Sequence, residues 1–167
     1  MNKNRFTISY TGRIAVMLLL IAGIGATSIL FSTAHAQSAT LGEPFFVQKG
    51  AETVQRKIGP NRTQYTFTAN GTINGNIEVT DTGEYVSTSK GNHQTFDQGQ
   101  GVIKTKDGSE MANYTFVEVA NGKGYKGASV YNTNSTGKLS FLDNAVVIFK
   151  LGLDENGKYV GKQWLWK

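Results

Sequence analysis

The stretch Gln64-Tyr65-Thr66-Phe67-Thr68-Ala69-Asn70-Gly71-Thr72-Ile73-Asn74 decides the fold class. Tyr65, Phe67, Ala69, Gly71 and Ile73 share one parity, and the polar residues Gln64, Thr66, Thr68, Asn70, Thr72 and Asn74 share the other. Side chains alternate faces along a β-strand, so this period of two describes a strand with one packed face and one wet face. Asn74-Gly75 follows directly, a pair that tolerates the positive φ angles of a tight hairpin turn.

The same grammar extends in both directions. Residues 77–88 carry Ile77, Val79 and Tyr85 on one parity, and Lys90-Gly91-Asn92 reads as a turn. Residues 99–106 form the next strand, closed by Asp107-Gly108. Residues 111–120 place Ala112, Tyr114 and Phe116 on one face, and Asn121-Gly122-Lys123-Gly124 turns the chain back. A short strand follows over 127–133. Residues 145–153 are almost wholly apolar, which predicts burial on both faces. Asn156-Gly157 then introduces a last strand over 159–166. At the front, residues 45–58 read as one extended strand interrupted at Gly50. About eight strands, with turn signals roughly every 8–15 residues, predict an all-β antiparallel barrel or sandwich. Closing a barrel removes exposed strand edges.

The segment before these strands has a different composition. Lys3, Arg5 and Arg13 precede an uncharged, mostly apolar run over residues 14–31, and Ala34-His35-Ala36 supplies small residues on either side of His35. Charge, apolar run and small-x-small site in that order describe a secretory signal peptide cut before Gln37. The apolar run is eighteen residues long, which also suits an uncleaved N-terminal membrane anchor. Both readings place the rest of the chain outside the cytoplasmic membrane, secreted or tethered through residues 14–31. The division is therefore 1–36 as signal or anchor, 37–44 as linker and 45–167 as the β-domain.

Charge and cysteine content exclude several functions. The chain carries +5, but three basic residues and no acidic ones lie in the first 36 positions, leaving fourteen basic against twelve acidic residues. That small, scattered excess argues against a nucleic-acid partner. No cysteine is present, so disulfides and thiolate chemistry are excluded. His93 is the single histidine after residue 36, so neither a histidine metal site nor a Ser/His/Asp arrangement is expected, and no cofactor is implied. Asp154-Glu155-Asn156-Gly157 lacks the distal ligand of a calcium loop and reads as an acidic turn. Asn61, Asn70, Asn113 and Asn134 head four Asn-x-Ser/Thr sequons, candidate glycosylation sites in an exported chain.

The order of "STGKLSFLDN" over residues 135–144, a hydrophobic strand and a terminal "WLWK", together with "GQGVIKTKDGSEMANYTF" over residues 99–116, resembles the allene oxide cyclase-like barrels and related uncharacterised small secreted proteins. The resemblance spans most of residues 45–167. It implies a calycin-like fold, an eight-stranded antiparallel closed barrel with a cavity. In the plant cyclases that cavity binds an unsaturated fatty-acid epoxide and guides ring closure. None of the family's catalytic residues is carried onto this chain.

A barrel of this size is filled by side chains or holds one small ligand. Tyr65, Phe67, Tyr85, Tyr114 and Phe116 are the candidate lining of an apolar pocket, with Tyr hydroxyls to orient a ligand. The same residues also suit an ordinary aromatic core. Trp164 and Trp166 share a strand face, either as ligand contacts or as a plug for one barrel end. Glu118 shares parity with Tyr114 and Phe116, so it is the candidate inward carboxylate, able to serve as acid or base if buried. Glu84 has the parity opposite to Tyr85 and reads as exposed. The leading expectation is non-catalytic binding of a small, largely apolar ligand. The alternatives are an isomerase or cyclase acting on a lipid-like substrate, and a glycosylated cell-envelope interaction protein. The oligomeric state is open.

Overall fold

The computed structural model describes residues 41–122, 124–156 and 158–166. The signal or anchor over 1–36 and the first half of the 37–44 linker lie outside the described residues, as do Lys123 and Gly157 of two expected turns. The strands are β1 (Phe46–Gly59), β2 (Arg62–Ile73), β3 (Ile77–Gly91), β4 (Gln94–Thr105), β5 (Met111–Ala120), β6 (Tyr125–Asn132), β7 (Val146–Leu153) and β8 (Tyr159–Leu165). Each pairs with the next, all antiparallel, and β1 pairs with β8 to close the barrel. The all-β, eight-stranded antiparallel barrel is thus the fold. Among the described residues no helix is long and apolar enough to cross a membrane.

Local chemistry sets the hairpins. Asn74 and Gly75 have φ of 49° and 77°, the double positive φ that a two-residue hairpin needs. Between β3 and β4 the same conformation falls on Asn92 and His93, with φ of 51° and 58°. The turn therefore lies slightly beyond the expected Lys90-Gly91-Asn92, and β4 begins at Gln94, not at residue 99. At the β4–β5 turn the Asp107 carboxylate accepts from the Ser109 amide and from the hydroxyls of Thr105 and Ser109. These donors hold its pKa well below the usual carboxylate range.

Two sequence expectations are corrected. β1 runs unbroken through Gly50, and its irregularities are register shifts between Glu52 and Val54 and between Lys57 and Gly59. Residues 145–153 are not buried on both faces. Val147 and Phe149 point inward, whereas Val146, which shares the opposite face with Ile148, is 43 % exposed; Leu153, of the inward parity, is 60 % exposed because it ends the strand. A closed barrel has only one dry face, so an apolar run in it must leave alternate residues on the outer wall. Those residues adjoin an apolar outer row in which Val117 pairs with Ala128, Ala128 with Ile148 and Ile148 with Trp164.

The apolar core closes one end of the barrel. Phe46, Ile73, Val79, Ile103, Ala112 and Val147 project from the strands, and Leu139 and Leu142 descend from the β6–β7 connection, which includes the 3-10 turn Ser140–Leu142. Glu110 pins this plug by accepting from the Lys138 and Leu139 amides at 2.9 and 2.8 Å. Phe45 meets Phe141 edge-on with ring centres 5.7 Å apart. The two tryptophans do not perform the plugging role expected of them.

Candidate functional site

With one end sealed, the unfilled interior lies toward the other, where the β1–β2, β3–β4, β5–β6 and β7–β8 turns sit. A cavity of about 80 Å³ opens there. It exists because glycine and aromatic residues are interleaved on the inner wall. A Cβ on Gly101 would stand 2.4 Å from the Tyr114 ring, and one on Gly127 would stand 2.5 Å from the Phe149 ring and 2.7 Å from Glu118 Cβ. The missing side chains let the rings and Glu118 lie across the barrel.

The floor of the cavity is a polar layer. The Tyr114 hydroxyl donates to Asp81 Oδ1 at 2.8 Å, and the Tyr131 hydroxyl donates to Gln163 Oε1 at 2.9 Å. The two rings stack with centres 4.9 Å apart. Asp81 is fully buried, and burial pushes its pKa up to about 7, an increase partly offset by Tyr114 and by Gln48 beside it. Asp81 Oδ2 and Gln48 Oε1 are buried with no hydrogen-bond partner.

Above the floor stands an aromatic collar. Phe116 packs edge-on against both Phe67 and Phe149, at 6.3 and 6.2 Å. Tyr85 lies beside Phe67 and Phe116, and Tyr65 stacks on its outer side at 5.0 Å.

The mouth is acidic. Glu52 Oε1 accepts from the Tyr85 hydroxyl and from the Tyr159 hydroxyl, the latter at 2.8 Å. Tyr125 and Tyr159 join at 3.3 Å. Burial, followed by the pull of Glu52, raises the pKa of Tyr85, keeping that hydroxyl protonated as a donor. Glu118 is 6 % exposed, lines the cavity and has no hydrogen-bond or ion-pair partner. Burial first, then the charges of Asp97 and Glu52, push its pKa up to about 8. Asp97 is itself buried. It takes a hydrogen bond from the Thr95 hydroxyl on Oδ2, and the Ser87 hydroxyl also favours its carboxylate, while no described residue lies within hydrogen-bond geometry of Oδ1. Its pKa is raised, mainly by burial.

Phe67, Tyr85, Tyr114, Phe116 and Glu118 all line the cavity, and Tyr65 backs it. Trp164 and Trp166 are on the outer wall: the Trp164 indole donates to the Gly42 carbonyl at 2.9 Å, and Trp166 is 67 % exposed. Asn61, Asn70, Asn113 and Asn134 are all exposed, as is Glu84.

Sequence reasoning did not single out Gln48, Glu52, Asp81, Asp97 or Gln163. Asp81 was accessible in principle, because it shares parity with Val79 and Tyr85, and a carboxylate at a core position is a signal in itself. Tyr125 and Tyr159 completed the collar without standing out among the many aromatic residues. Among the described residues no three His, Cys, Asp or Glu side chains converge as a metal site.

No protein-family model matches the chain, and no curated protein matches it. Similar solved structures include the following two. A protein of unknown function from Clostridium acetobutylicum ATCC 824 aligns at TM-score 0.60 with 11 % identity, over 75 % of this chain and 98 % of that one. A conserved protein of unknown function from Rhodopseudomonas palustris aligns at TM-score 0.58 with 11 % identity, over 74 % and 95 %. At such identity the likeness is one of fold alone.

Proposed function

We propose that the protein is an exported, non-catalytic barrel that binds one small, largely apolar molecule in the half-open end of its interior. The carrying observation is the cavity itself, walled by Phe67, Phe116 and Phe149, with Gln48 in its lining carrying a buried Oε1 that no described residue satisfies. A barrel selected only for stability gains by filling such a space. The allene oxide cyclase-like resemblance supports the reading through the cavity it implies, and the composition of residues 1–36 supports export. Native mass spectrometry after exposure to a small-molecule mixture tests it. The expected result is a retained adduct on the unaltered protein, lost in Phe116→Trp, which fills the cavity. Absence of any adduct, with side-chain NMR signals of the collar unmoved, overturns it.

One observation favours a second reading, an isomerase of the same barrel. Glu118 has the placement and the raised pKa of a general acid or base. Conversion of a lipid epoxide that disappears in Glu118→Gln, with binding retained, separates this reading from simple binding.

A further inference from the structure

We infer that the molecule held in this cavity is a small protonated amine, its ammonium group facing Glu118 and Glu52 and its apolar body against the phenylalanine collar. This rests on the reading of the cavity as a binding site and names the chemistry of its occupant.

The first argument is charge. Glu118 and Glu52 line the cavity, with Asp97 beside them and Asp81 beneath. Every Lys and Arg among the described residues is exposed, and His93 is exposed in a turn. Lys162 borders the cavity, but its side chain belongs to the exposed set. The interior therefore holds carboxyl groups with no internal counter-charge. Buried carboxylates are ordinarily paired, because taking an ion out of water is expensive. Here Glu118 is nine-tenths buried and unpaired.

The second argument is the sense of the missing hydrogen bonds. Among the described residues, the buried side-chain atoms without a partner are the oxygens Gln48 Oε1, Asp81 Oδ2 and Asp97 Oδ1, and of these Gln48 Oε1, an acceptor, belongs to a residue of the cavity lining. An ammonium offers three donors and no acceptor. A fatty-acid carboxylate would bring one more anion to a site that already holds several carboxyl groups and no cation. A neutral apolar molecule would leave Glu118 and Gln48 as they are. The collar adds to the preference, since aromatic faces attract cations.

Protonation gives the proposal a distinct signature. The titratable groups that act on Glu118 are Asp97 on β4, Glu52 on β1, Tyr125 on β6 and Tyr114 on its own strand β5; Tyr85 on β3 and Tyr159 and Lys162 on β8 line the same cavity, and Phe149 and Leu151 line it from β7 without charge. With its pKa near 8, empty Glu118 is protonated at neutral pH. A bound ammonium favours the carboxylate, so binding releases a proton below that pH. Affinity then rises with pH by up to about tenfold per unit, until Glu118 is ionised when empty. A simple alkylammonium, like lysine, keeps its own charge to about pH 10.

Calorimetric titration of the unaltered protein with n-butylammonium, n-butanol and butyrate, at pH 6 and pH 8, tests the inference. The expected order is n-butylammonium tighter than n-butanol by about tenfold or more, with butyrate not binding. Amine affinity is higher at pH 8, and Glu118→Gln abolishes that pH dependence while n-butanol still binds. Equal or tighter binding of n-butanol overturns the amine assignment and leaves the binding reading standing. Failure of all three probes, together with no adduct from the mixture experiment, removes both. The probe comparison on the unaltered chain decides the matter even if the variant folds poorly.

Discussion

Asp97 and Glu118 stand directly opposite each other on neighbouring strands β4 and β5, and both carboxyl groups turn into the barrel. Like charges directly across a strand pair oppose folding. The pair therefore concentrates the acidity of the interior at one level.

The consequence is a pH-dependent stability with a definite sign. Glu118 has a folded pKa near 8 against an ordinary value of 4.5, and Asp81 one near 7 against 3.8. Between those limits the folded state holds protons that the unfolded chain releases. Stability is then fullest below about pH 4 to 4.5 for these groups, and it falls as pH rises toward 8. Chemical denaturation of the ligand-free protein is expected to show a loss on the order of a few kcal/mol between pH 5 and pH 8.5. Glu118→Gln removes much of that slope. A flat profile in the unaltered protein contradicts the placement of these groups.

Glu110 predicts a local effect at the opposite end. Its carboxylate accepts the Lys138 and Leu139 amides that position the plug. Glu110→Ala leaves both donors unpaired within the protein and is expected to destabilise by about 1–3 kcal/mol. Hydrogen exchange at the Lys138 and Leu139 amides accelerates, while amides of β3 and β4 at the open end keep their relative protection. Unchanged exchange at those two positions counts against the pinning role.

The outer wall predicts a stabilising change. Lys126 pairs with Lys150, and Lys150 with Lys162, so three exposed cations follow one another across β6, β7 and β8. Lys150→Glu replaces two like-charge neighbours by opposite-charge ones. A gain of about 0.2–1 kcal/mol per pair is expected in low salt. It shrinks at high ionic strength, where surface charges are screened. Denaturation midpoints measured at two salt concentrations check both statements.

The parity of residues 64–74 was legible because β-strand alternation is local, and the same rule placed Tyr114, Phe116 and Glu118 on one face of β5. It also holds as far as Glu52, which shares parity with the buried Phe46 and Gln48, but not beyond: register shifts at Glu52/Val54 and Lys57/Gly59 change the phase of β1 after that residue, and no count of alternation along 45–58 predicts where they fall. The residues 145–153 were misjudged because composition does not distinguish a strand covered on both sides from one in a barrel whose outer wall is also apolar. Trp164 and Trp166 share parity, but parity alone does not tell which face points inward.

The sequence by itself determined an all-β chain of short alternating strands joined by Asn-Gly and Asp-Gly turns, because φ preference and side-chain alternation act between neighbours along the backbone. Only the tertiary structure decided that Glu118 from β5 faces the same cavity as Glu52 from β1, with Asp97 beside them and every described Lys and Arg outside. Those meetings depend on barrel closure and strand register, which bring together residues far apart in the chain.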